Sequence, residues 1–125
     1  MSVRDVTPML AVADIDAACD FMRDCLGFEL RARMEGYAYL ARGTGAIRFL
    51  NADPDADMDD PARQVAVYID VDDVDAHYAA HKSALDALPE GMVRAPFSQD
   101  YGQREFHVIH GPILFFIGQP MENPQ

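Results

Sequence analysis

The sequence predicts an α+β protein built from two β-α-β-β-β modules, and three observations carry that prediction. A short pattern occurs twice: Val12-Ala13-Asp14-Ile15-Asp16-Ala17 returns 59 residues later as Val71-Asp72-Asp73-Val74-Asp75-Ala76. Each copy follows a stretch that alternates between apolar and other residues. Each is followed by an amphipathic helical stretch and three short runs separated by turn residues.

The elements follow in order. In the first module Leu10 and Val12 alternate with Met9, Ala11 and Ala13 as an opening strand. Asp14 is placed to accept hydrogen bonds from the free amides of a helix start, and Asp16 favours its positive end. Ile15, Ala18, Met22, Cys25 and Leu26 share one helical face, and Gly27 supplies the stop. Strands are expected at 29–34, 37–42 and 46–51, separated by Glu35-Gly36 and by Arg42-Gly43-Thr44-Gly45. In the second module Val65, Val67, Ile69 and Val71 alternate with Gln64, Ala66, Tyr68 and Asp70, a strand with two unlike faces. Asp73 and Asp75 repeat the helix start. The helix should run from Val74 to about Leu85, with strands near 93–97, 104–109 and 113–118.

A chain of 125 residues is expected to form one domain over 1–125, with a first module at 7–51, an acidic linker at 52–62 and a second module at 63–120. The segment from Asn51 to Pro61 is crowded with aspartates and holds two prolines, which marks a solvated connection. As a calcium loop it lacks a turn glycine and a closing glutamate. With 10 basic and 21 acidic residues the formal charge is −11, which repels nucleic acid and anionic membranes and attracts cations. No apolar stretch approaches the roughly 20 residues that span a bilayer, and the N-terminus has no basic region followed by an apolar run, so a cytoplasmic protein is expected. Cys19 and Cys25 are six apart in one predicted helix and read as reduced, packed thiols.

The doubled unit, the segment Phe21-Met22-Arg23-Asp24-Cys25-Leu26-Gly27-Phe28 and the segment Tyr101-Gly102-Gln103-Arg104-Glu105-Phe106 together resemble the vicinal-oxygen-chelate superfamily of glyoxalases, extradiol dioxygenases and bleomycin resistance proteins. The resemblance implies curved mixed sheets around a concave cup. It places Thr7, Ala66, Arg48 and Phe116 where the metal enzymes carry their ligands. Threonine is a poor ligand, alanine and phenylalanine have no donor, and a guanidinium repels a cation, so neither metal nor other cofactor is expected. Tyr101-Gly102-Gln103-Arg104-Glu105-Phe106 and the terminal Gly118-Gln119-Pro120 are similar to the W-G-x-R-E-F and G-Q-P segments of the bleomycin-resistance group, with Tyr101 in place of tryptophan. The implied function is sequestration of a bleomycin-type or related planar, cationic antibiotic, without catalytic residues, in a homodimer. The alternative is an enzyme of the same superfamily (lyase, isomerase or dioxygenase type), working without metal or with a displaced metal site built from Glu105, His107 or His110.

The ligand-binding residues expected on this basis are Tyr37, Tyr39, Arg48, Tyr68, Tyr101 and Phe116. Phenol rings stack on flat heterocycles while their hydroxyls reach water. Arg48 needs an anion, supplied by Glu29, Asp70 or Glu105 or by an acidic ligand. His77 and His81 have a spacing that suits a metal, but the repeat matches them with Ala18 and Met22, so they are expected to pack on the sheet. His107 and His110 fall on opposite strand faces.

Overall fold

A computed structural model describes residues 2–121. The chain divides into two compact units, Met1–Met58 and Asp59–Gln125, each with its own sheet, helix and core.

In the first unit the strands are β1 (Met9–Val12), β2 (Glu29–Met34), β3 (Tyr37–Arg42) and β4 (Gly45–Asn51), with the helix α1 (Ile15–Leu26) after β1. They form a mixed sheet in the order β1-β4-β3-β2, with β1 parallel to β4 and the other pairs antiparallel. Asp14 caps α1 as expected, its carboxylate accepting the Ala17 N–H at 3.1 Å. Gly27 closes the helix at φ +73°, a left-handed conformation that only glycine adopts cheaply. The alternation of each strand sends Leu10, Val12, Ala38, Leu40, Ile47 and Phe49 to one face, where they are buried together with Ile15, Ala18, Met22, Cys25 and Leu26 of α1. Full burial of such side chains contributes roughly 1.5–3 kcal/mol each. Cys19 and Cys25 are free and buried, and burial pushes the Cys25 thiol up to about 11.

A short 3-10 turn, Pro61–Arg63, leads into the second unit. There β5 (Val65–Asp70), α2 (Val74–Asp86), β6 (Val93–Ser98), β7 (Gln103–His110) and β8 (Ile113–Pro120) repeat the plan, with sheet order β5-β8-β7-β6 and β5 parallel to β8. The last three strands run one or two residues past the sequence expectation because β7 and β8 stay paired from Gln103–Pro120 to His110–Ile113. Phe106, Val108, Phe115 and Ile117 face α2 and are fully buried. His77 packs among them, its ring 5.7 Å from Phe106 and 4.7 Å from His81, as the match with Ala18 predicts.

The start of α2 is held three ways. Asp73 accepts the Ala76 N–H at 3.0 Å, the side-chain oxygen of Gln119 accepts the Val74 N–H at 2.5 Å, and Arg104 makes a two-pronged pair with Asp75 at 2.9 Å for each prong. Hydrogen bonding from Arg104 lowers the Asp75 carboxyl. No helix among the described residues is long and apolar enough to cross a membrane.

Candidate functional site

Each sheet has a second face, away from its helix, and the six expected site residues all lie there or in an adjoining loop. They form two clusters, one in each unit.

In the first unit Tyr39 and Arg48 are cross-strand partners on β3 and β4, and Tyr37 is two residues from Tyr39 on the same face. The Arg48 guanidinium donates to the Tyr37 hydroxyl oxygen at 2.5 Å and lies over the Tyr39 ring, 4.8 Å from its centroid. The expected carboxylate partner is not found among the described residues. Glu29 instead pairs with Arg31 at 3.3 Å, and Glu105 is occupied by other donors.

In the second unit the centre is Glu105, on β7 and fully buried. Its Oε1 accepts from the phenols of Tyr101 at 2.7 Å and Tyr68 at 3.1 Å. Its Oε2 accepts from Gln99 at 3.2 Å and lies 2.5 Å from His107 Nε2. Both oxygens are thus doubly satisfied, which is what a buried carboxylate requires. Burial pushes the Glu105 carboxyl up, but the hydrogen bonds, His107 foremost, outweigh it and leave it below its ordinary value. An acceptor-only carboxylate in turn fixes the proton of His107 on Nε2. Burial and the same carboxylate raise the Tyr68 and Tyr101 phenols.

The local chain explains the placement. Gln99 N–H donates to the Gln103 carbonyl at 2.7 Å, and Gly102, at φ +87°, turns the loop so that Tyr101 returns toward Glu105. Tyr68 sits beside Phe116 across the β5–β8 pair and reaches over Gly118. A Cβ at position 118 would collide with the Tyr68 hydroxyl and stand 3.1 Å from the Arg104 carbonyl, so this approach needs a glycine. Around the carboxylate the rings form a continuous platform: Tyr68 stacks on Phe116 at 5.7 Å, Phe116 meets His107 at 4.2 Å, and His107 meets Phe97 edge-on at 5.1 Å. Arg94 lies 3.5 Å above Phe97. Tyr101 and Tyr68 are exposed.

Gln99, Phe97 and Gln103, whose side chain lies 2.9 Å from the Tyr68 hydroxyl, were not among the expected residues. Glu105 and His107 were expected as an ion-pair partner and as displaced metal ligands. Their spacing of two on one strand is the signal that puts them on one face with each other.

The positions that would hold a metal do not suit one. Arg48 is engaged by two tyrosines and Phe116 is sandwiched between rings. His107 spends Nε2 on Glu105, and no cluster of three or more His, Cys, Asp or Glu side chains among the described residues is arranged to bind an ion.

A family model described as the Glyoxalase/Bleomycin resistance protein/Dioxygenase superfamily matches residues 6–112. No curated protein matches the sequence. Among solved structures, a bleomycin resistance determinant encoded on the transposon Tn5 is similar at TM-score 0.75 and 24% identity, over 94% of this chain and 98% of that one. A bleomycin-binding protein from Streptomyces verticillus, complexed with copper(II)-bleomycin, is similar at TM-score 0.70 and 21% identity, over 98% and 99%. Lactoylglutathione lyase from Agrobacterium tumefaciens is similar at TM-score 0.67 and 20% identity, over 95% of each chain. At these identities the likeness is one of fold.

Proposed function

Because the chain belongs to the Glyoxalase/Bleomycin resistance protein/Dioxygenase superfamily, we propose that it is a metal-free binding protein that sequesters a bleomycin-type or related planar antibiotic in the cytoplasm, as a homodimer. The observation that carries this reading is the aromatic platform of Tyr68, Phe116, His107 and Phe97, fixed from beneath by a buried carboxylate and flanked by an exposed phenol. Rings held in place lose little freedom when a flat guest stacks on them, which favours tight binding. The net charge of −11 draws cationic guests. Two similar folds belong to proteins named for bleomycin resistance or binding.

Calorimetric titration with bleomycin tests the proposal. Saturable binding that weakens about ten-fold in Tyr101→Ala, together with raised drug tolerance in cells expressing the protein, is the expected result. Absence of both heat and tolerance overturns it.

One observation favours a second reading. The short contact between His107 and Glu105 is the carboxylate–imidazole arrangement that serves acid–base catalysis in many enzymes. An enzyme of this superfamily would show turnover of a substrate that is abolished in His107→Ala, whereas a sequestering protein releases its guest unchanged.

A further inference from the structure

Arg48 differs from half of the chain's basic side chains. In a chain with 21 acidic and 10 basic residues, Arg23, Arg31, Arg33, Lys82 and Arg104 each sit against a carboxylate. Arg48 does not, although it stands at the middle of a sheet and is half-buried. Its position is fixed from both sides. The backbone N–H donates to the Pro8 carbonyl at 2.9 Å, and Arg48 is registered against Met9 on β1 and Tyr39 on β4's other neighbour, β3.

The guanidinium has five N–H donors in one plane. One goes to the Tyr37 oxygen, and the guanidinium carbon lies over the Tyr39 ring, 4.8 Å from its centroid. The other donors meet no acceptor side chain among the described residues. Tyr37, accepting from Arg48, keeps its own proton to give. The cluster is therefore a group of donors with a positive charge, held over a ring and lacking a counter-anion among the described residues. A planar oxyanion matches it in charge, donor count and geometry, and a carboxylate is the bidentate partner that a guanidinium fork fits best.

We propose that Arg48, with Tyr37 and Tyr39, is a receptor, complete within the first unit, for the carboxylate of a planar small molecule. The proposal rests on the reading of this protein as a binder of planar small molecules, and it adds aromatic acids and zwitterions to the ligands that the class contains. The two charge signals then act at different ranges: the overall negative field selects for positive charge at a distance, and Arg48 selects for a carboxylate on contact.

The probes are 2-naphthoate and 2-naphthamide, alike in shape and differing in charge, titrated calorimetrically at about 0.15 M salt. The wild-type protein is expected to bind the acid at least ten-fold more tightly than the amide. Arg48→Gln should bring the two to equal affinity, Arg48→Lys should keep part of the preference, and Tyr37→Phe should reduce it about three-fold. Circular dichroism checks that each variant is folded, and the retained preference in Arg48→Lys separates a charge effect from a packing effect. Equal binding of acid and amide to the wild type, or a preference that survives in Arg48→Gln, overturns the carboxylate receptor while the planar-guest reading stands. If neither probe binds, the carboxylate receptor falls, and the bleomycin titration decides the planar-guest reading separately.

Discussion

Glu105 concentrates more physical consequence than any other side chain in the chain. Its four hydrogen-bonding partners come from β5, β7 and the β6–β7 loop, so its removal takes the shared acceptor from all four. Glu105→Gln turns an acceptor into a group that also donates, and a loss of roughly 2–3 kcal/mol is expected by urea denaturation at neutral pH. The pH dependence has a definite sign. The carboxyl lies below its ordinary 4.5 in the folded chain, so the unfolded chain takes up this proton first. The stabilisation is complete above about pH 5 and is lost as pH falls through the folded value. The urea midpoint of the wild type should therefore decline below about pH 4, and the decline should be shallower in Glu105→Gln. The sequence made Tyr68, Tyr101 and Phe116 legible as single aromatics. It did not make their common anchor legible, because a glutamate in a strand is ordinarily solvated, and only the pairing of β7 with β8 and the return of the Tyr101 loop enclose it.

At the scale of the element, the two helix starts were the most readable features. A strand that ends in valine and meets an aspartate one residue before an apolar helix face leaves the chain few alternatives. Asp14→Ala and Asp73→Ala should each cost about 1 kcal/mol, measured as a fall in denaturation midpoint. The cost at Asp73 should be the smaller, since Gln119 and Arg104 also hold that helix end. Here the structure gives a cause to segments that resemblance had only flagged. In Arg104-Glu105-Phe106, successive side chains alternate across the sheet: Arg104 clamps the first turn of α2, Glu105 gathers the donors of the platform and Phe106 enters the core. Gly118 makes room for Tyr68, and Gln119 caps α2. The roles of Arg104, Gly118 and Gln119 do not follow from periodicity, because each depends on a partner 29 to 50 residues away in sequence. For Arg48 the need for a partner was legible; of the two expected, a protein carboxylate is not found among the described residues, and the two tyrosines of the adjacent strand engage the guanidinium.

For the whole molecule the doubled plan was visible in the sequence, and the four strands and one helix of each unit follow it closely. The charge of −11 belongs to this scale too, since it acts through the sum of exposed aspartates and glutamates rather than through any one of them. A cationic planar guest should associate several-fold more slowly at about 0.15 M salt than at about 0.01 M, as stopped-flow fluorescence of the guest would show. A salt-independent rate would mean that the field plays no part in capture. The proposed homodimer predicts a sedimenting species of twice the 13.9 kDa chain mass, and a monomer at micromolar concentration would remove that part of the reading.

The close approach of Tyr68 to Gly118 reaches beyond this one chain. Any side chain at position 118 evicts the phenol at 68, and without that phenol the carboxylate at 105 loses a donor. The glycine and the tyrosine therefore form a heritable pair: descendants of this sequence should keep both or abandon both. A lineage that has exchanged the glycine for a larger residue should show a smaller side chain opposite it and an altered surface where the guest would lie. Comparison among such lineages would reveal, without any binding measurement, which of them still use this face of the sheet.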